Sequence, residues 1–291
     1  MDRLLPHLPG VPLPYGGWDD LRRPGFWGAL VTFFVVHVAC MWYPLRRPLE
    51  RALVGCSRRD KVTGKRHLEG AAAEQMEKVV IGSVTRITSS IHNVVQIPLA
   101  VYCFLDPRLA SDHVENTTAE STILVCISTA FFTWELMNSV YNVKRDGASF
   151  VWHSLGCGIV FWHGFTLKKN HYYAGTYMMW EVSTVFTHIR WFLHRTGWTK
   201  TRWYFWNGIC MLGSFFVLRN VGGVWLTYDY FSTSFDRDEA GNFRVPLAQN
   251  ALYVLASICL NSLNTFWFYK MFSMSMAFLK GKKNDEDRDK R

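Results

Sequence analysis

The sequence predicts an all-α, polytopic membrane bundle of about seven transmembrane helices, with the N-terminus lumenal or outside and the C-terminus cytosolic. Three observations carry this reading. The apolar residues, 49% of the 291-residue chain, are bunched into runs of membrane-spanning length. The basic residues are divided unequally between the loops that separate those runs. Ionisable residues stand inside the runs, above all Glu181, His188 and Arg190 within 181–193, and such groups in hydrocarbon must face protein or a wet cavity.

Residues 1–25 form an arm whose segment 6–17 holds four prolines and three glycines, which forbids a helix there. The first span is 26–43, the plainest of the seven, and it is followed by a basic loop at 44–78. A six-helix membrane domain at 79–279 comprises spans 79–105, 120–141, 150–167, 171–193, 203–228 and 247–279, and 280–291 is a charged, solvated tail. The first apolar run lacks a small-residue cleavage site and so does not read as a signal peptide; the arm lacks the Arg- and Ser-rich amphipathic character of a transit peptide. No internal repeat is visible.

Orientation follows from charge. Residues 44–78, 142–149, 194–202 and the tail carry twenty Lys and Arg, against eight in the arm and in the loops on the other side. The richer side is cytosolic by the positive-inside rule. Asn116-Thr117-Thr118 is an N-glycosylation triplet in the 106–119 loop, which this count makes lumenal, and Asn116 is its acceptor. The +9 net charge is spread over separate short loops, which suits topology and anionic headgroups rather than nucleic acid.

Six of the seven cysteines lie in spans, where Cys behaves as a small apolar residue; Cys56 alone is loop-borne and reads as an unmodified thiol. Neither Cys-x-x-Cys nor a His-x-x-x-His box occurs, so no metal site and no cofactor is expected. A Gly-x-Ser-x-Gly elbow and a phosphate-binding Gly loop are missing too.

Polar residues in the spans fall on helical stripes. Arg86, Ser90 and Asn93 share one face of the second span, Glu135, Asn138 and Asn142 one face of the third, and Ser257, Asn261 and Asn264 one face of the seventh. In the fifth, Glu181, Thr184 and His188 align, with Ser183 and Arg190 on roughly the opposite side. Arg86, Asn93, Glu135, Asn138, His163, Glu181, Thr184, His188, Arg190 and Asn261 are therefore expected to line a lipid-sized cavity. His153, His163, His171 and His188 are acid–base candidates because imidazole titrates nearest neutrality. Interhelical hydrogen-bond glue, at about 0.6 kcal/mol per contact, accounts for the same stripes without a cavity.

Three strings carry a resemblance: Ala130-Phe-Phe-Thr-Trp-Glu135-Leu, then Trp152-His153-Ser154, then Glu181-x-Ser183-Thr184-x-Phe186-x-His188-x-Arg190-Trp-Phe-Leu. Across about 75–279 the chain resembles the TLC domain of the TRAM, Lag1 and CLN8 proteins, closest to the small TLC domain-containing proteins. The resemblance implies six core helices, one extra helix before them, and residence in the endoplasmic reticulum; with no legible address signal, a mitochondrial or other organellar membrane stays open. Ceramide synthases of this family carry a His-His pair where this chain has His153-Ser154, and a His-Asp-x-x-Asp string where it has the Glu181 region. The small TLC proteins usually have Asp in place of Glu135 and Asn in place of His188.

The expected function is a TLC-type membrane protein that binds or remodels lipid in membrane lipid homeostasis, without full ceramide synthase activity. One alternative is a non-catalytic accessory or scaffold subunit of a larger membrane complex. Another is a sphingolipid acyltransferase with His153 as catalytic base, oriented by Glu181 or Glu135. Expected partners are membrane lipids and, for the scaffold alternative, other membrane protein subunits, with no nucleic acid. A seven-span receptor is disfavoured because neither Asp-Arg-Tyr nor Asn-Pro-x-x-Tyr occurs.

Overall fold

Helix α1, Pro24–Met41, begins on a proline, whose fixed φ and missing N–H suit the first helical position. The structure, a computed structural model, describes residues 24–41, 69–237 and 241–289. Most of the predicted arm, the 44–78 loop as far as residue 68, and Cys56 lie outside the described residues. Phe26, Leu30 and Phe33, at helical spacing, are buried, while Trp27, Val31, Val35 and Val38 on the other side are exposed. The buried stripe meets the rings of Phe131, Trp162 and Phe165.

Helix α2 runs from Glu69 to Leu105 with Pro98 inside it. A short helix α3, Pro107–Ser111, is capped by Asp106. Helix α4, Ala119–Tyr141, opens on a capping box in which Thr118 and Ser121 satisfy each other's backbone donors. The turn α5, Val143–Asp146, leads through Gly147 (φ 91°) into α6, Ala148–Leu167, which ends at Lys168 and Asn170 in the left-handed region. Among the described residues no strand occurs; one isolated bridge joins Arg237 to Phe243 in the loop before the last helix.

The predicted fifth span is broken. Helix α7, His171–Met178, stops two residues before α8, Glu181–Arg195. Three-residue hydrogen bonds from Val182 to Met179 and from Ser183 to Trp180 tighten the junction. The sixth span is longer than predicted: α9, Arg202–Ser214, passes into a π-helical turn at Phe215–Val221 and then α10, Gly222–Ser234. Helix α11, Leu247–Asp289, likewise continues past the predicted end of the last span.

Among the described residues, four helices are long and apolar enough to cross a membrane, Met76–Leu105, Ala119–Tyr141, Arg202–Ser234 and Leu247–Ala277, with Gly25–Met41 as a shorter apolar helix. Span 150–167 is helical, but His153, His163 and Ser154 lower its apolarity; span 171–193 fails by the break. The apolar core lies between α1, α4, α6, α7 and the facing sides of α10 and α11. Exposed Val217, Val221 and Val224, with Leu252, Leu255 and Ile258 on α11, give the bundle an apolar outer face.

Candidate functional site

A π-helical turn admits one extra residue per turn and re-aims its side chains, and such turns gather at functional sites. Here it carries Arg219, which is buried at 3% exposure. Its Nε donates to the Trp180 carbonyl (3.2 Å) and to Ser183 Oγ (2.8 Å). Nη1 donates to Asn264 Oδ1 (3.3 Å), and Nη2 to Glu181 Oε1 (3.4 Å) and Thr184 Oγ1 (2.7 Å). Phe215 and Trp180 place their rings 5.1 and 5.7 Å from the guanidinium carbon. The break between α7 and α8 has a clear role: it turns the Trp180 carbonyl and the first turn of α8 toward one guanidinium. All five hydrogen bonds use the planar fork that distinguishes Arg from Lys.

A second carboxylate adjoins this hub. Glu135 on α4 accepts from Ser154 Oγ on α6 (3.2 Å), and Ser154 Oγ also lies 3.2 Å from Ser139 Oγ. His153, the predicted base, is buried, yet its ring nitrogens meet only Cys157 Sγ, at 3.7 and 3.9 Å, among the described residues. Trp267 lies edge-on to it at 5.2 Å. Neither Glu135 nor Glu181 hydrogen-bonds His153, against the expectation that one would orient it. Each carboxylate is taken by a different partner.

Beside the hub lies a pocket lined by Phe132, Cys157, Val160, Phe161, Tyr177, Met178, Trp180, Glu181 and Leu260. Its free volume is about 20 Å³, room for about one water and not for the lipid-sized cavity the stripes predict. The aromatic content explains the difference: Phe132 stacks on Phe161 at 5.0 Å, and Tyr177 meets Trp180 at 4.8 Å, so large rings fill the centre.

The other predicted residues separate into distinct environments. His188 Nδ1 is 3.1 Å from Ser90 Oγ, and the Arg86 guanidinium lies over Trp191 at 4.4 Å, a group apart from Arg219. Arg190 faces α9, donating to the Tyr204 carbonyl at 3.2 Å and packing over its ring at 4.0 Å. His163 pairs with Asn170 at 3.2 Å, Asn93 with His92 at 3.2 Å, Asn138 with Thr85 at 3.4 Å, and Asn261 with Thr227 at 2.7 Å. Asn116 spends its amide nitrogen on the Arg108 carbonyl and Ser111 Oγ, and Thr118 of the same triplet is the buried cap of α4.

Of the predicted set, the structure gathers Glu181, Thr184 and Glu135 near one centre, with His153 one helical turn from Cys157. Sequence reasoning missed the centre itself. Arg219, Ser183 and Asn264 were legible only as polar residues inside apolar runs. Among the described residues no three His, Cys, Asp or Glu are grouped to hold a metal ion.

The family model of the TLC domain, shared by TRAM, LAG1 and CLN8, matches residues 83–273. The chain belongs to the TLC domain family. The match takes in Arg219, Glu181, Glu135 and His153 and leaves α1 outside. An uncharacterized TLC domain-containing protein of Schizosaccharomyces pombe is 27% identical over 206 residues, covering 71% of this chain and 69% of that one. TLC domain-containing protein 4-B of Danio rerio is 25% identical, with 69% and 78% covered. Topoisomerase I damage affected protein 4 of Saccharomyces cerevisiae is 25% identical, with 69% and 70% covered. The resemblance read from the three strings is thus borne out.

Proposed function

We propose that this TLC domain protein crosses the endoplasmic reticulum membrane seven times, N-terminus lumenal and C-terminus cytosolic, and binds or remodels lipid at the Arg219 centre without full ceramide synthase activity. A helix or helix pair coincides with every predicted span; the two that fall short in apolarity or continuity bury His153, Ser154 and His163, and His171, Glu181 and Ser183, inside the bundle. The observation that carries the reading is Glu181, ion-paired with the buried Arg219 guanidinium, as one wall of a pocket otherwise lined by Phe132, Cys157, Val160, Phe161, Tyr177, Met178, Trp180 and Leu260. One charged wall among apolar and aromatic ones suits an amphipathic ligand.

Acyl transfer to an amine needs a base that is oriented and a donor set for the oxyanion. His153 has a thiol and a ring edge beside it instead of a carboxylate, and Ser154, at the place of a second histidine, is engaged by Glu135. The test is incubation of the purified full-length protein with a sphingoid base and a long-chain acyl-CoA. No ceramide above the no-protein rate is expected; ceramide formation that His153→Ala abolishes would establish the acyltransferase reading instead.

A further inference from the structure

A second cationic cluster lies at the bundle end that carries the 142–147 turn and the 196–201 loop. Trp191 on α8 has the Arg86 guanidinium 4.4 Å from its ring and the Arg195 guanidinium 5.4 Å from it, so two cations share one indole. Gly82 makes this approach possible: a Cβ there would sit 3.3 Å from Arg86 Nη1 and 3.4 Å from the Trp191 ring. Arg145 and Asp146 lie within electrostatic reach of Arg86 without touching Trp191. That carboxylate is already committed, since Arg145 grips Asp146 through both Nε and Nη2. Among the described residues, Asp146 is the one carboxylate within electrostatic reach of Arg86, against Arg145 and Arg195.

The donors are unbalanced as well. Arg86 Nη1 bonds the Gly82 carbonyl at 2.8 Å, but Arg86 Nε and Arg145 Nη1 are buried without a hydrogen-bond partner among the described residues. Buried guanidinium N–H groups without acceptors are costly, and the deficit is of negative charge with several oxygens. A phosphate group meets it: it offers three or four acceptors and matches the guanidinium fork in two-point contacts. Arg195 is exposed, so the cluster opens to the surface on that side. Below Arg86 on α2, Ser90 Oγ bonds the Arg86 carbonyl and lies 3.1 Å from His188 Nδ1, and Asn138 donates to Thr85 Oγ1 at 3.4 Å.

We propose that Arg86 and Arg195 around Trp191, with Arg145 within electrostatic reach, form a binding site for a phosphate monoester, borne by a lipid headgroup in the adjoining leaflet or by a soluble ligand. The site does not rest on the Arg219 centre, and loss of lipid binding there leaves it standing.

The experiment uses the full-length protein in phosphatidylcholine nanodiscs, with binding read by native mass spectrometry and by thermal unfolding. Phosphatidate, with a monoester headgroup, should bind and raise the unfolding temperature, whereas phosphatidylserine at equal charge should bind at least about tenfold more weakly. Arg86→Gln and Arg195→Gln should each lower phosphatidate affinity about tenfold or more, with Arg86→Lys intermediate because it keeps charge but not the fork. Arg195→Gln alters an exposed residue and serves as the readout if Arg86→Gln fails to fold. Competition by inorganic phosphate at millimolar concentration assigns the site to the phosphate group from solution; phosphatidate binding without such competition assigns it to the lipid headgroup. Equal binding of phosphatidylserine, or phosphatidate affinity unchanged in Arg195→Gln and Arg86→Lys, overturns the proposal.

Discussion

Replacing Arg219 with Met keeps the length of the side chain and deletes its charge and all five hydrogen bonds. Interhelical polar contacts in membrane proteins average about 0.6 kcal/mol, so five of them come to about 3 kcal/mol. The variant also strands Glu181, whose side chain is 9% exposed and faces the guanidinium at 3.4 Å. Removing one partner of a buried ion pair costs about 3–5 kcal/mol, largely from the charge left behind. The two routes agree on about 3–5 kcal/mol for Arg219→Met. They differ on the double variant: Glu181→Gln removes the stranded charge, so Arg219→Met with Glu181→Gln should be less destabilised than the sum of the single changes by about 1–3 kcal/mol. The assay is reversible unfolding in mixed micelles, run as a double-mutant cycle, with size-exclusion chromatography to confirm assembly. A cost below about 1 kcal/mol for Arg219→Met, or strict additivity in the cycle, would refute the hub.

Gly223→Ala should destabilise by about 1–3 kcal/mol, because a Cβ there would stand 2.5 Å from Asn261 Oδ1 and 2.8 Å from the Trp180 ring; Gly213→Ala on the same span, with open space at its Cβ, is the control in the same melts. In the 106–118 loop the Arg108 guanidinium beside Asp106 holds its carboxyl below the ordinary carboxylate range, and at Asp112 burial is outweighed by bonds from the Glu115 and Val114 amides and from Arg244. Depressed folded-state values mean that this anchoring is complete above the unfolded value of about 3.9 and is lost as pH falls through the folded values. Hydrogen exchange of the loop should therefore be flat from pH 7 to 5, after correction for intrinsic rate, and should rise below about pH 4; loss of protection already at pH 6 would be contrary. For topology, a membrane-impermeant thiol probe on the cytosolic side should reach Cys56 and not a cysteine placed at Asn116; labelling of both from one side would remove the seven-span arrangement.

How much could be read from the chain depended on whether a property is local. Helix positions were legible because apolar runs are local, as at the predicted spans 120–141 and 150–167, which fall within α4 and α6. The partition of polar residues into separate sites was not. Glu181 and His188 share a face of α8, yet seven residues are about 10 Å along a helix axis, enough to place one at Arg219 and the other at Arg86. Ser183 was assigned to the opposite side from Glu181. At the first turn of a helix, however, a long side chain arriving from the N-terminal end reaches the whole circumference, and Arg219 does so. The centre stayed hidden because its aim depends on the π turn at Phe215–Val221, and nothing in that run of apolar residues distinguishes a π turn from an α turn. The pocket at Glu181 is smaller than the expected lipid-sized cavity: polar stripes state which faces turn inward, not how much space the rings of Phe132, Phe161, Tyr177 and Trp180 leave.

The central claim is lipid binding at Arg219, and lipid mass spectrometry on the gently purified full-length protein tests it most directly. Wild-type protein should carry one lipid class enriched well above its share of the host membrane, and Arg219→Met with Glu181→Gln, assembled but without the fixed charge, should lose that enrichment. Lipids in bulk-membrane proportions on the wild type, or the same enrichment in the double variant, would contradict the account; co-purifying protein subunits in place of lipid would turn it toward the scaffold alternative.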